Sequence, residues 1–192
     1  NYTGMFVKIT LFLLSVLLLV GCKRHNGVDA DVIRKTTVFV PDDSLLLLKP
    51  KRLKSDNMLN SYPDYRFLIY IDSVYCSSCE LQRLGMWHSI IKKVREYDLD
   101  VNFLFIFNPR ANERFQLIES YYKNPINLDI YIDTAKILEK RNPILKNRIF
   151  HTVLLDVNNK IVKIGDPSKD IDAENNLYEY LESLDNDTSP ES

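Results

Sequence analysis

Glycine is scarce in this 192-residue chain, with five in all. That argues against a protein built on glycine-rich loops that cradle phosphates, and so against a nucleotide cofactor. There is no excess charge of either sign: 25 Lys and Arg stand against 26 Asp and Glu, a formal charge of -1. No global positive field therefore points to nucleic acid. Long apolar runs are also missing. The apolar, uncharged stretch near the start, Ile9–Val20, falls short of the roughly 20 residues a spanning helix needs. With 45% hydrophobic and 27% charged residues, the rest reads as a globular domain, which excludes wholesale disorder, a collagen-like repeat and a multi-pass membrane protein. Cysteine is rare too. Of three, Cys22 stands alone, while Cys76 and Cys79 form a C-x-x-C pair.

The first segment has the layout of a targeting signal. Met5 is the expected biological start, followed by a short positive region at Lys8 and then the h-region Ile9–Val20. It ends in Leu19-Val20-Gly21-Cys22, which resembles the bacterial lipobox. The resemblance implies that Cys22 is lipidated and becomes the mature N-terminus, with several acyl chains, enough for stable anchoring. A plain membrane anchor or a cleaved secretory signal is the alternative. Residues 1–21 are thus expected to be a signal peptide, 22–36 a lipidated N-terminus and polar tether, and 185–192 a polar, disordered tail. Lys23 after the cysteine resembles lipoproteins passed to an outer membrane, facing the periplasm.

Between tether and tail lies one domain, 37–184, whose apolar pattern alternates between strand and helix periods. Strands are expected at Thr37–Val40, Tyr65–Asp72, Val101–Phe107, Leu128–Ile132, Phe150–Asp156 and Lys160–Ile164. Helices are expected at Cys79–Tyr97, Ala111–Tyr122 (through Phe115, Ile118 and Tyr122), Thr134–Lys140 and Ala173–Leu184. Val157-Asn158-Asn159 suits a hairpin turn, because Asn tolerates positive φ. The pattern implies an α/β layered domain with a mixed sheet covered on both faces.

Cys76-Ser77-Ser78-Cys79 falls between a buried strand and an amphipathic helix. At a helix N-terminus the unpaired N–H groups favour an anion, so Cys76 is expected to be the attacking thiolate. Cys79, one turn inside, is expected to be shielded and to reach back to resolve a mixed disulfide. A structural disulfide is a poor use of so short a loop, which constrains the unfolded chain by only roughly 2 kcal/mol. A zinc site needs about four ligands, and only His88 or His151 is on hand to complete one. Incidental buried thiols remain a third alternative.

The order strand, C-x-x-C, helix, strand, helix, strand, helix, hairpin, helix resembles the thioredoxin fold. The extra helix–strand stretch at 111–132 looks like the insertion in TlpA/ResA-type thioredoxin-like proteins and peroxiredoxins. Residues Phe150–Val162 are similar to their late Thr-x-x-x-Asp-x-x-Gly-Lys-Ile pattern. The resemblance implies a three-layer fold, a mixed central sheet flanked by helices with an inserted helix–strand element, and Cys76 and Cys79 as nucleophile and resolving thiol. Two positions differ. Phe150-His151 stands where thioredoxins place a cis-proline; a cis bond without proline costs about 3 kcal/mol, so a trans bond is expected. Tyr70 stands where the family keeps a buried acid, six residues before the first cysteine. Asp72 is the nearest carboxylate, equally well a strand-end cap. Ser73 has peroxiredoxin spacing to Cys76, but Ile69 replaces that family's proline.

His151 is expected beside the disulfide, donating to the Cys76 thiolate or moving a proton between sulfurs. It is equally a strand residue in solvent or bonded to a carbonyl. Tyr75 and Phe150 flank the cysteines as candidate substrate contacts, while His88, His25 and Trp87 are given no role. The reading that follows is a lipid-anchored envelope thiol–disulfide oxidoreductase using no cofactor. Its expected partners are protein disulfides or dithiols, a redox partner in the envelope and the membrane, with no nucleic acid. The alternatives are a non-catalytic thioredoxin-fold interaction module and a Cu(I) carrier using Cys76, Cys79 and His151.

Overall fold

Tyr65–Ile71 is almost entirely aromatic and β-branched, and such a run is stable only when buried on both faces. In the computed structural model it is β2, hydrogen-bonded to a strand on each side. The structure describes residues 33, 35–41, 44–50, 63–124 and 126–188, all within one unit, Ile33–Ser192. The signal segment, Cys22 and most of the tether lie outside the described residues.

The sheet has six strands in the order β1-β4-β3-β2-β5-β6. These are β1 Leu46–Leu48, β2, β3 Val101–Phe107, β4 Ile130–Ile132, β5 Thr152–Asp156 and β6 Ile161–Ile164. Strands β2, β3 and β4 run parallel, whereas β1, β5 and β6 pair antiparallel to their neighbours. After β2 come α1 (Ser77–Arg83), a 3₁₀ turn (Leu84–Met86) and α2 (Trp87–Val94). The element α3 (Arg114–Lys123) with β4 is the inserted helix–strand unit between β3 and α4 (Ile137–Arg141). The chain closes with the β5–β6 hairpin and α5 (Ile171–Thr188).

Because strand side chains alternate, β2 serves two cores. Phe67, Ile69 and Ile71 pack with Leu81, Leu84, Trp87, Ile91, Leu117 and Leu181 from α1 to α3 and α5. On the other face Leu68 and Tyr70 are buried, and the Tyr70 hydroxyl reaches Glu139 of α4. Leu138 and Leu145 are also fully buried. The sheet is thus covered on both faces, as three layers.

Several boundaries differ from the sequence expectation, each for a local reason. Thr37–Val40 is not a strand: Thr37 makes an isolated bridge to Lys160, and Pro41 ends the segment. The edge strand is instead Leu46–Leu48, a leucine run without alternation, pinned where the Tyr121 hydroxyl lies 3.1 Å from the Leu48 carbonyl and 3.0 Å from that of Leu128. The long helix expected over Cys79–Tyr97 begins at Ser77, tightens at Gly85 and ends at Val94. Helix α3 buries Leu117 and Tyr121 and leaves Phe115 78% exposed, so its inward face is one residue out of step with the expected one. Phe150 lies in a 3₁₀ turn, Arg148–Phe150, and not in β5. Helix α5 runs four residues past Leu184, into the stretch read as tail. The hairpin turn does place Asn159 at φ 58. Gly165 has φ 129, and a Cβ there would lie 2.9 Å from that of Ala173, so this position after β6 requires glycine.

Candidate functional site

The parallel strands β2 and β3 end on the same side of the sheet, and the chain leaving β2 turns at once into α1. Asp72 shapes that turn: its carboxylate accepts from the Val74 N–H at 3.0 Å. It is therefore a turn acceptor, the cap expected as its second role. The Arg110 Nε–H donates to the Ser73 carbonyl at 2.9 Å, and Ser77 is buried with its hydroxyl 3.3 Å from a Glu113 oxygen. Two contacts from the start of α3 thus hold the C-x-x-C loop in place. Ser77 reads as filler between the cysteines, and only its burial identifies it as an anchor.

Cys76 is the N-cap of α1, its carbonyl accepting the Glu80 N–H at 3.0 Å. Cys76 and Cys79 form a disulfide, with Cα atoms 5.3 Å apart. Both cysteines are exposed, which corrects the expectation that Cys79 is shielded. The reason is geometric: residues three apart share a helix face, and the inward position in this turn belongs to Ser77.

A cavity of about 350 Å³ opens between α1, the segment before β5 and the loop after β6. Tyr75, Glu80, Trp87, Arg148, His151 and Lys169 are among its lining residues. Tyr75 carries the Arg148 guanidinium 5.2 Å and the Lys169 ammonium 5.8 Å from its ring centre. Phe150, the other expected substrate contact, is buried and does not line this cavity.

His151 is only 7% exposed, its ring edge-on to Tyr70 at 5.2 Å and to Tyr75 at 6.4 Å. Its Nε2 lies 2.8 Å from the Leu145 carbonyl. A carbonyl only accepts, so Nε2 carries the hydrogen and a neutral ring presents Nδ1 as a bare acceptor. That Nδ1 is buried and has no hydrogen-bond partner. Burial lowers the imidazole pKa below its ordinary value, against the raising effects of the Leu145 bond and Asp72. The donor expected for the Cys76 thiolate is therefore committed to Leu145. Tyr70, at the position of the family's buried acid, has its pKa raised, first by burial and then by Glu139. Among the described residues no three His, Cys, Asp or Glu side chains gather as a metal-holding group. No peptide bond among the described residues is cis, so Phe150–His151 is trans.

His151 gives a pH test. Its native pKa lies below the unfolded value of about 6.5, so the unfolded chain takes up the proton first as pH falls. The stability it contributes is complete above about 6.5 and is lost as pH drops towards the native value. Urea titrations of wild type and His151→Gln from pH 8 to 5 should show wild type losing stability relative to the variant across that window. A difference that is constant with pH contradicts a buried neutral ring.

The strands β3, β2, β5 and β6, two parallel and two antiparallel, carry the C-x-x-C where β2 passes into α1. The fold is thioredoxin-like. No protein-family model matches the sequence, and no curated protein does. Several solved structures are similar to it, three of which follow. One is a thioredoxin-like protein in its oxidized form, at 12% identity and TM-score 0.49, covering 82% of this chain and 99% of that one. Another is the exposed lipoprotein thioredoxin Etrx1 of Streptococcus pneumoniae, at 18% and 0.46, covering 72% and 98%. The third is copper-bound ScoI of Arabidopsis thaliana, at 15% and 0.45, covering 66% and 88%. At these identities the chemistry has to be argued from the site itself.

Proposed function

We propose that this protein is a thiol–disulfide oxidoreductase of the bacterial cell envelope, lipid-anchored through Cys22, with its thioredoxin-like domain outside the cytoplasm. The favoured location is the outer membrane, facing the periplasm. The observation that carries the reading is an exposed Cys76–Cys79 disulfide at the N-cap of the helix that leaves the central strand. An exposed three-residue bridge adds little to stability and is open to thiol attack, which suits exchange better than bracing. The lipobox-like Leu19–Cys22 and its h-region support the anchor.

In the reduced protein the Cys76 thiolate attacks one sulfur of a substrate disulfide. A Cys76–substrate bond forms, and the other substrate sulfur leaves as thiolate. Cys79, deprotonated, then attacks the Cys76 sulfur, forming the intramolecular disulfide and releasing the second substrate thiolate. The substrate gains two electrons and two protons, and the protein dithiol loses them. An external dithiol donor in the envelope restores the reduced pair. With His151 neutral and its Nε2–H donated to the Leu145 carbonyl, the N-terminal end of α1 favours the Cys76 thiolate, not an imidazolium.

The two cysteines then have unequal fates. With a protein disulfide as substrate, Cys79→Ser should accumulate a mixed disulfide through Cys76, visible as one substrate-sized mass adduct that dithiothreitol removes. Cys76→Ser should accumulate none. Equal adducts on both variants contradict the assigned roles.

A further inference from the structure

Between Lys136 and Arg148 the chain carries five basic residues, Lys136, Lys140, Arg141, Lys146 and Arg148, against one acid, Glu139. The rest of the chain holds 20 Lys and Arg against 25 Asp and Glu, so this stretch is a local positive excess in an otherwise acidic chain. All five are exposed. Several cations elsewhere are ion-paired, Arg83 and Lys169 at Glu80, Lys93 at Glu96, Arg110 at Glu113 and Lys123 at Glu119. Among the described residues none of the five forms an ion pair. Arg141 sits 4.4 Å from the Phe39 ring centre and Arg148 5.2 Å from that of Tyr75. An uncompensated patch of one sign raises the local concentration of partners of the other sign.

Of the five, Arg148 stands in the cavity wall with His151; the wall's Glu80 and Asp166 are ion-paired to Arg83 and Lys169, and its Asp170 accepts from the Asp172 N–H. There the His151 Nδ1 is a buried acceptor without a donor. A buried acceptor of this kind is satisfied when a ligand brings an N–H or O–H to it. Lipid phosphate oxygens only accept, so an anionic headgroup phosphate answers the cations but not Nδ1. A polypeptide answers both, with acidic side chains and backbone N–H groups, and the cavity is large enough for a side chain or two.

We infer that the Lys136–Arg148 segment and the adjoining cavity dock an acidic polypeptide, the disulfide-bearing substrate, whose carboxylates meet Lys146 and Arg148 and whose N–H donates to His151 Nδ1. This rests on the oxidoreductase reading for what the partner carries to Cys76, while docking itself needs no redox step.

The test uses the full chain with its disulfide intact and short blocked peptides without cysteine, identical except for glutamate or glutamine at the flanking positions. By fluorescence anisotropy at low salt, the glutamate peptide should bind about ten times more tightly, as one charge-assisted contact would give. The preference should shrink as salt is added and vanish in the Lys146→Glu, Arg148→Glu double variant, whose circular dichroism stays unchanged. The ¹⁵N resonance of His151 Nδ1 should move on binding. Equal affinity for the two peptides overturns the inference, as does a still Nδ1 signal or binding to phosphatidylglycerol vesicles without peptide preference. If the peptide preference holds while the cysteine variants show no exchange chemistry, the docking surface stands and the oxidoreductase reading falls. If exchange occurs without preference, the reverse is true.

Discussion

Replacing Cys76 with serine should lower turnover of a protein disulfide to less than about a thousandth of the wild-type rate, while leaving the domain folded. The loss is large because a serine hydroxyl is not ionised near neutral pH and forms no bond to sulfur that exchange can reverse. Folding is spared because Cys76 is exposed and lends α1 its backbone, not its side chain, as cap. The disulfide it would lose spans only three residues and contributes roughly 2 kcal/mol on the loop-entropy view. Stopped-flow or endpoint assays with a protein disulfide, paired with a urea titration, separate the two effects. A variant that keeps a tenth of the activity contradicts a nucleophile at this position.

The second large effect is on stability, at Trp87→Ala. Trp87 opens α2 and is 3% exposed, with its ring edge-on to Phe67 at 5.5 Å, Phe105 at 5.4 Å and Phe103 at 6.2 Å. Those three rings belong to β2 and β3, so the indole joins the helix that follows the cysteines to the strands that place them. Truncating a large buried aromatic costs about 3–5 kcal/mol, because the cavity left behind does not fully collapse. For a domain of this size that corresponds to a fall in Tm of about 10 °C. Differential scanning calorimetry measures it directly. Trp87→Phe should recover most of the loss, since edge-to-face contacts survive a smaller ring. A cost below about 1 kcal/mol contradicts the packing role.

The strands β2 and β3 and the C-x-x-C between β2 and α1 were legible in the sequence, because each depends on a local pattern. The Tyr65–Ile71 and Val101–Phe107 runs are too apolar to lie on one face only, and Asn159 declares its turn through its tolerance of positive φ. What escaped the sequence depends on distant partners. Leu46–Leu48 is a strand because β4 and the Tyr121 hydroxyl receive it, and a leucine run alone has neither period. Ser77 is an anchor because Glu113 is there, 36 residues on. His151 stands in the wall of the cavity with Tyr75, and its tautomer is set by Leu145, whose carbonyl no sequence pattern aims at the ring. The exposure of Cys79 follows from which face of α1 turns inward, a choice made by the packing of Leu81 and Leu84.

The most direct measurement of the central claim is the redox equilibrium of the Cys76–Cys79 pair in dithiol/disulfide buffers of graded potential, read by alkylation and mass. An exposed bridge at a helix N-cap is labile, so the account predicts one reversible two-electron transition with a midpoint between about -270 and -120 mV. A midpoint near the lower value marks a reductase fed by an electron donor, and one near the upper value a disulfide donor. A bridge that resists reduction below about -300 mV, or that does not re-form once opened, would contradict exchange chemistry at this site.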